Sequence, residues 1–168
     1  MQGQTPGQLT SHGCEQAEEL AKHLAKRHID AFVSSDLKRS FDTCAIIARP
    51  HFQQCLKHSD NASLDDIVRD HITTTPLLRE RDWGSFTGRY IPDLKDEPWT
   101  NDIESEEALR RRANEFLRFI ESRFHGLTVL AVGHGIINKA IQAVHFGKEM
   151  RDVKRMENAE VRVLNLSV

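Results

Sequence analysis

The sequence predicts an α/β fold in three layers, α/β/α, around a mainly parallel sheet. Apolar spacings of period 2 and period 3.6 alternate along the chain, as strand–helix units require. Twice, at "FVSSDLKRS" and at "TVLAVGHGIINKA", an apolar strand pattern passes straight into a helical one. The chain has 168 residues, enough for one domain of this class with its own core. No repeat, low-complexity tract or linker divides it, so a single domain over 1–168 is expected.

The elements follow in order. Ala17, Leu20, Ala21 and Leu24 mark a first helix from about Glu15 to Arg27, with Thr10 or Ser11 as its N-cap. "DAFVSS", Asp30 to Ser35, is a short apolar run suited to a buried strand. A second helix carries Leu37, Phe41, Ala45 and Ala48 on one face and is expected to stop at Pro50. Residues 49–71 are weakly periodic and read as a surface insertion or lid, within which Ser63 caps a short helix from Leu64 to Asp70. "HITTTPLL" is a strand with Pro76 near its end. From Arg79 to Ser105 the turn chemistry of Gly84, Gly88, Pro92 and Pro98 predicts a long ordered loop, packed through Trp83, Phe86, Tyr90 and Trp99. The longest helix runs from about Ser105 to Phe124 and stops at Gly126. "TVLAVG" reads as a fully buried strand, "IINKAIQAVHFG" as a helix ended by Gly147, and "EVRVLNL" as a last, alternating strand.

Composition excludes several functions. Lys and Arg number 23 against 25 Asp and Glu, for a formal net charge of −2, so there is no footprint for nucleic acid or for an anionic membrane. The local cluster Arg110-Arg111-Arg112 lies in a helix rich in acids and reads as a solvated face. Cys14, Cys44 and Cys55 are odd in number and lack metal-ligand spacing, which argues against a disulfide framework or a zinc site. The polar start has no apolar core of a signal peptide, and no apolar run is long enough to span a bilayer. A reduced cytoplasmic protein is expected, without metal or cofactor.

The chemistry concentrates where strands end. His134 stands between Gly133 and Gly135 at the carboxyl end of one strand and the start of a helix, where free N–H groups and a positive dipole end face a ligand. The later glycines of a dinucleotide loop are absent, and a hydrolase nucleophile elbow needs Ser in the place of His134. Arg39 occupies the first turn of the helix after Asp30–Ser35, where a guanidinium can fork onto two phosphate oxygens. Glu80 follows the third strand and can protonate a leaving oxygen. Taken alone, Arg39 and Glu80 read as ordinary surface and His134 also admits a plain loop hydrogen bond; together they point to an anionic, tetrahedral ligand.

These segments resemble the histidine phosphatase superfamily in its phosphoglycerate mutase-like branch. "QGQTPGQLTSHGCEQAEELAKHL" is similar to the family's "QG…LT..G..QA..L". "VSSDLKRSFDTCAIIA", "LLRERDWGSFTG", "ESEEALRRRANEFL" and "VLAVGHG" follow in the family's order. Residues 49–71 are longer than the usual connection. The resemblance implies metal-independent hydrolysis of a small phosphate monoester through phosphohistidine. It makes Arg39 the second arginine and His134 the second histidine of the phosphate pocket. Glu80 becomes the acid/base, and Gly3 lies in the loop facing the phosphate with Gln2 or Gln4 beside it.

The family's Arg-His-Gly motif, which carries the nucleophilic histidine on a central strand, has no counterpart here, since Met1 directly precedes Gln2. His12-Gly13 is a poor substitute, with no strand before it and no adjoining Arg. The expectation is therefore a phosphoglycerate mutase-like sheet missing its first central strand, with little or no turnover by the chain as it stands. A start placed downstream of the true one is the favoured explanation, with a fragment or a phosphate-binding pseudoenzyme as alternatives. Mutase activity is the alternative within the family. A sheet short of a strand can recruit one from a second copy, so a homodimer is one assembly open to it, and a small phosphorylated metabolite or inorganic phosphate is the expected ligand.

Overall fold

The sheet is built outward from β1 (Ala31–Ser35), whose neighbours Phe32 and Val33 point to opposite faces and are both buried. The computed structural model describes residues 2–53, 63–90 and 97–166. β1 pairs in parallel with β2 (Ile72–Thr75) on one side, Phe32 opposite Ile72, and with β3 (Val129–Val132) on the other, Phe32 opposite Leu130. The order is β2-β1-β3. Cys55, Pro92 and the middle of the 49–71 segment lie outside the described residues.

Helices cover both faces. On one, Val33 packs with Leu109, Ala113, Phe116 and Leu117 of α4 (Glu106–Arg123) and with Ile137, Ala140 and Ile141 of α5 (Gly135–His145). On the other, Phe32 and Ile72 pack with Cys44 and Ala48 of α2 (Lys38–Phe52) and Val68 of α3 (Leu64–Asp70). α1 (Ser11–Leu24) lies against α2. This is the three-layer α/β arrangement with a parallel sheet that the alternating periods predict. Val68 is buried against the sheet, so the 64–70 part of the expected surface insertion belongs to the core layer.

The caps behave as the side chains dictate. Thr10 accepts from the Gly13 N–H, Ser63 from the Asp65 N–H and Ser105 from the Ala108 N–H, each satisfying an orphan donor of a first turn. The Thr10 cap starts α1 at Ser11, earlier than the expected Glu15, and the helix ends at Leu24, short of Arg27.

Pro50 does not stop α2, which runs on to Phe52. A proline in the last turns forfeits one backbone bond. Phe52, packed on Phe32 at 5.7 Å and on His71 at 5.0 Å, holds the remaining turn against the sheet.

Two strand expectations are corrected. β3 is not fully buried: Ala131 is exposed and its neighbours are half-buried, because no described strand pairs with its far edge. "EVRVLNL" forms no strand. It keeps its alternation, with Leu164 and Leu166 packed toward α4 and α5 and Val161 and Val163 exposed. An alternating segment becomes a strand only when a neighbour completes its ladder, and none of the described strands lies beside it.

The 79–105 loop is also less packed than its aromatics predict. Phe86 and Ile103 form a small buried cluster with Trp83 beside them, but Tyr90 is 69% exposed and Trp99 62%. The Arg81 guanidinium lies within 4.9 Å of the Trp83 ring and 4.6 Å of the Trp99 ring, and the two rings meet edge to face at 5.8 Å. Trp99 is thus tied down by a cation–π stack in place of burial.

Candidate active site

Three strand ends converge on one cleft. β3 leads through Gly133 to His134, the N-cap residue of α5. Gly133 allows the tight exit, because a Cβ there would stand 2.5 Å from Asn138 Oδ1. β1 leads to Arg39 in the first turn of α2, and the segment after β2 carries Glu80. These residues, with Gly3, line a cleft of about 1940 Å³ that also follows β3 and the segment from Arg155 to Leu166.

His134 is 9% exposed, and its Nε2 is buried without a hydrogen-bond partner. A buried ring nitrogen left unpaired costs roughly 1–3 kcal/mol, a cost that a hydrogen-bonding ligand in the cleft would offset. Burial pulls the His134 pKa down to about 4, reinforced by the positive charges of Arg39 and Arg112 and opposed by Asp36. His134 is therefore neutral near pH 7.

That shift has a consequence for stability. An unfolded histidine takes up its proton near 6.5, whereas folded His134 refuses it down to about 4, so stability is present above 6.5 and is lost as pH falls through this window. The loss reaches about 3 kcal/mol at the acid end. Urea midpoints of wild type and His134→Gln, compared from pH 7 to 4, test this. The wild type should lose more on acidification, and parallel curves would contradict the assignment.

Arg39 donates from Nη1 to the Thr5 carbonyl at 2.9 Å and from Nη2 to the Gly3 carbonyl at 2.7 Å. Two of its five N–H donors thus fasten the entry loop, leaving the others for an anion. Burial pulls its pKa below the ordinary arginine range, and the charge of Glu80 works in the opposite direction. Gly3 is buried with φ +51°, a left-handed conformation that suits glycine and turns its carbonyl onto Arg39. Gln4 donates from Nε2 to the Glu80 carbonyl at 3.1 Å, tying the same loop to the other wall. Glu80 Oε1 accepts the backbone N–H of Arg81 at 2.8 Å and that of Ile136, in the first turn of α5, at 3.2 Å. One carboxylate oxygen is thereby fixed at the helix N-terminus. The expected residues Gly3, Gln4, Arg39, Glu80 and His134 are brought together. His12 reaches the rim of the same cleft from the first turn of α1, but its side chain is 76% exposed and lies 3.6 Å from Glu15.

Two supporting pairs escape a reading of the sequence. Arg79 forks onto Asp36 with bonds of 2.8 and 2.5 Å, which holds the Asp36 carboxyl below its usual range. Arg112 forks onto Glu104 at 2.9 and 2.7 Å and reaches the carbonyls of Leu77 and Arg79 at 3.0 and 2.6 Å. The reading of Arg110-Arg111-Arg112 as one solvated face therefore fails at Arg112, whose side chain is 16% exposed. It holds for Arg111, at 66%. The only trace in the sequence is the eight-residue spacing of Glu104 and Arg112, which fits one side of a helix start.

Among the described residues no group of His, Cys, Asp and Glu side chains is arranged to hold a metal ion, and no helix is long and apolar enough to cross a membrane.

The chain has informative relatives. It is 27% identical over 156 residues to phosphoserine phosphatase 1 of Hydrogenobacter thermophilus, covering 89% of this chain and 69% of that protein. It is 30% identical over 187 residues to the metal-independent phosphoserine phosphatase of Arabidopsis thaliana, covering 99% and 69%. The fold superposes on a mycobacterial glucosyl-3-phosphoglycerate phosphatase solved with inorganic phosphate, with a TM-score of 0.75 at 20% identity over 94% of this chain and 80% of that one. The sequence model of branch 1 of the histidine phosphatase superfamily matches residues 1–167. With that match over nearly its whole length, and the parallel sheet that carries it, the chain belongs to the histidine phosphatase superfamily.

Proposed function

We propose that this chain is the phosphate-binding body of a phosphatase acting on small phosphate monoesters. The phosphoryl group sits between Arg39 and His134, against the loop at Gly3 and Gln4, and Glu80 stands over the leaving oxygen as acid and then base. The observation that carries this reading is the buried, unpartnered Nε2 of His134, set beside a guanidinium at a helix N-terminus. A neutral imidazole donates one hydrogen bond to a phosphoryl oxygen, and Arg39 supplies the positive charge that the dianion needs. In a protein with the family's Arg-His-Gly strand, the nucleophilic histidine attacks phosphorus, the leaving oxygen takes the Glu80 proton, and water activated by Glu80 then releases phosphate from phosphohistidine.

Among the described residues His134 is the one buried histidine that lines the cleft with Arg39 and Glu80, so this chain by itself is proposed to bind without turnover. Its hydrolysis of p-nitrophenyl phosphate should stay at buffer background. Robust turnover, abolished by His134→Ala, would overturn that reading and reveal another nucleophile.

Two further parts of the reading have partial support. The far edge of β3, unpaired among the described residues, favours a homodimer in which the sheet gains a ladder partner. The free thiols of Cys14 and Cys44, the latter pushed up to about 12 by burial, suit a reducing cytoplasm.

A further inference from the structure

The turn "SSDLKRS", Ser34 to Ser40, buries three serine hydroxyls, with exposures of 0%, 0% and 4% at Ser34, Ser35 and Ser40. A buried hydroxyl is costly unless it is bonded, so the bond each one makes says what it holds. Two of them serve the turn itself: Ser34 Oγ donates to the Ser35 carbonyl at 2.8 Å, and Ser35 Oγ accepts the Leu37 N–H at 3.3 Å. Ser40 differs. Its Oγ donates to the Val132 carbonyl at 2.7 Å, across 92 residues of chain.

That bond joins the two arms of the anion pocket. Ser40 directly follows Arg39 in the first turn of α2, and Val132 ends β3, two residues before His134. The two elements meet beside β1, whose Ser34 is the register partner of Val132 and lies 3.4 Å from Ser40, hydroxyl to hydroxyl. The long Arg39 side chain is held at its far end by the Gly3 and Thr5 carbonyls. Ser40 fixes the near end, the backbone from which that side chain springs. Ser40 also lines the cleft, but its single proton is committed to Val132 and none is left to give an anion. Contact with a ligand therefore falls to Arg39 and His134, and Ser40 acts through them.

We propose that Ser40 is a positioning residue, the brace that sets the separation of Arg39 and His134 so that both reach one phosphoryl group. Two anchors on one small ligand tolerate little drift, since a misplacement of about 1 Å is already costly in a site of this kind. This inference rests on the phosphate site proposed above and adds the bond that keeps its two halves in place.

Titration calorimetry with inorganic phosphate on the whole chain, alongside the imidazole nitrogen signals of His134 in NMR spectra, tests the brace. Ser40→Ala should bind phosphate about threefold to tenfold more weakly, the worth of one hydrogen bond, and should move the His134 signals of the ligand-free protein. Ser40→Thr keeps the hydroxyl and should restore both. Ser63→Ala, which removes the α3 cap outside the cleft, should lower the urea midpoint and leave phosphate affinity and the His134 signals as in wild type. If Ser40→Ala does not fold, Ser40→Cys, close in shape and a weak donor, takes its place. Wild-type affinity with unmoved His134 signals in the Ala or Cys variant overturns the brace and leaves the phosphate site standing, as does an equal loss in Ser40→Thr. Absence of phosphate binding by the wild type overturns the phosphate site and the brace with it.

Discussion

Arg39→Ala is expected to weaken inorganic phosphate binding by roughly a hundredfold, about 2–3 kcal/mol, as loss of a charge-assisted donor pair in a sheltered site should. The guanidinium also holds the entry loop through the Gly3 and Thr5 carbonyls, so the variant releases the loop that closes this side of the pocket. Arg39→Lys separates the two contributions. A lysine supplies a point charge but lacks the fork, and cannot reach two carbonyls and an anion together. It should recover part of the affinity and little of the loop order. Calorimetry with phosphate, alongside circular dichroism to verify the fold, measures both. Undiminished phosphate affinity in Arg39→Ala would remove Arg39 from the site.

The largest stability effect is expected at Arg112. Arg112→Ala leaves the Glu104 carboxylate without its fork and takes the side-chain donor from the Leu77 and Arg79 carbonyls. Breaking a largely buried pair from one side costs about 3–5 kcal/mol, a large part of the roughly 5–15 kcal/mol that stabilises a domain. The neighbouring Arg111→Ala removes an exposed pair with Glu107 and should cost under about 1 kcal/mol. Replacing Glu104 and Arg112 together by leucine should restore most of the loss, because two apolar side chains leave no stranded charge. Urea denaturation of the four proteins decides this, and an Arg112→Ala midpoint no lower than that of Arg111→Ala would refute the clamp. The clamp also bears on the site. The 77–79 carbonyls lie immediately before Glu80, and Glu104 meets the Asp82 N–H at 3.1 Å, so the segment carrying the acid is fastened on both sides.

Local signals in the sequence carried far. The helix at Leu64–Asp70 and its Ser63 cap are legible because capping involves residues two or three apart. The Gly-His-Gly turn is legible because a strand pattern and a helix pattern meet there with no room for a loop. Legibility fell at Pro50, where contacts of Phe52 with Phe32 and His71 outweigh a local stop signal. It fell again at "EVRVLNL", where the local alternation is intact but a ladder needs a neighbour. Tyr90 and Trp99 show a related limit: hydrophobicity predicts burial on average, while the surface available in this fold decides which rings obtain it.

By itself the sequence determined the parallel α/β class and the order of the helices and of the three strands that form, because propensity, capping and periodicity act within a few residues; Arg39, Glu80 and His134 it placed at strand ends, and Gly3 and Gln4 became candidates through the family resemblance. Only the tertiary structure decided which charges are structural and which are free. Arg79, Arg112 and Arg155 look alike along the chain. Yet the first is tied to Asp36, 43 residues away, the second to the carbonyls beneath Glu80, and the third stands unpaired beside His134. The strength of a charge in a protein depends on its partners and on how much water remains around it. Both are properties of the folded neighbourhood, which no local pattern contains.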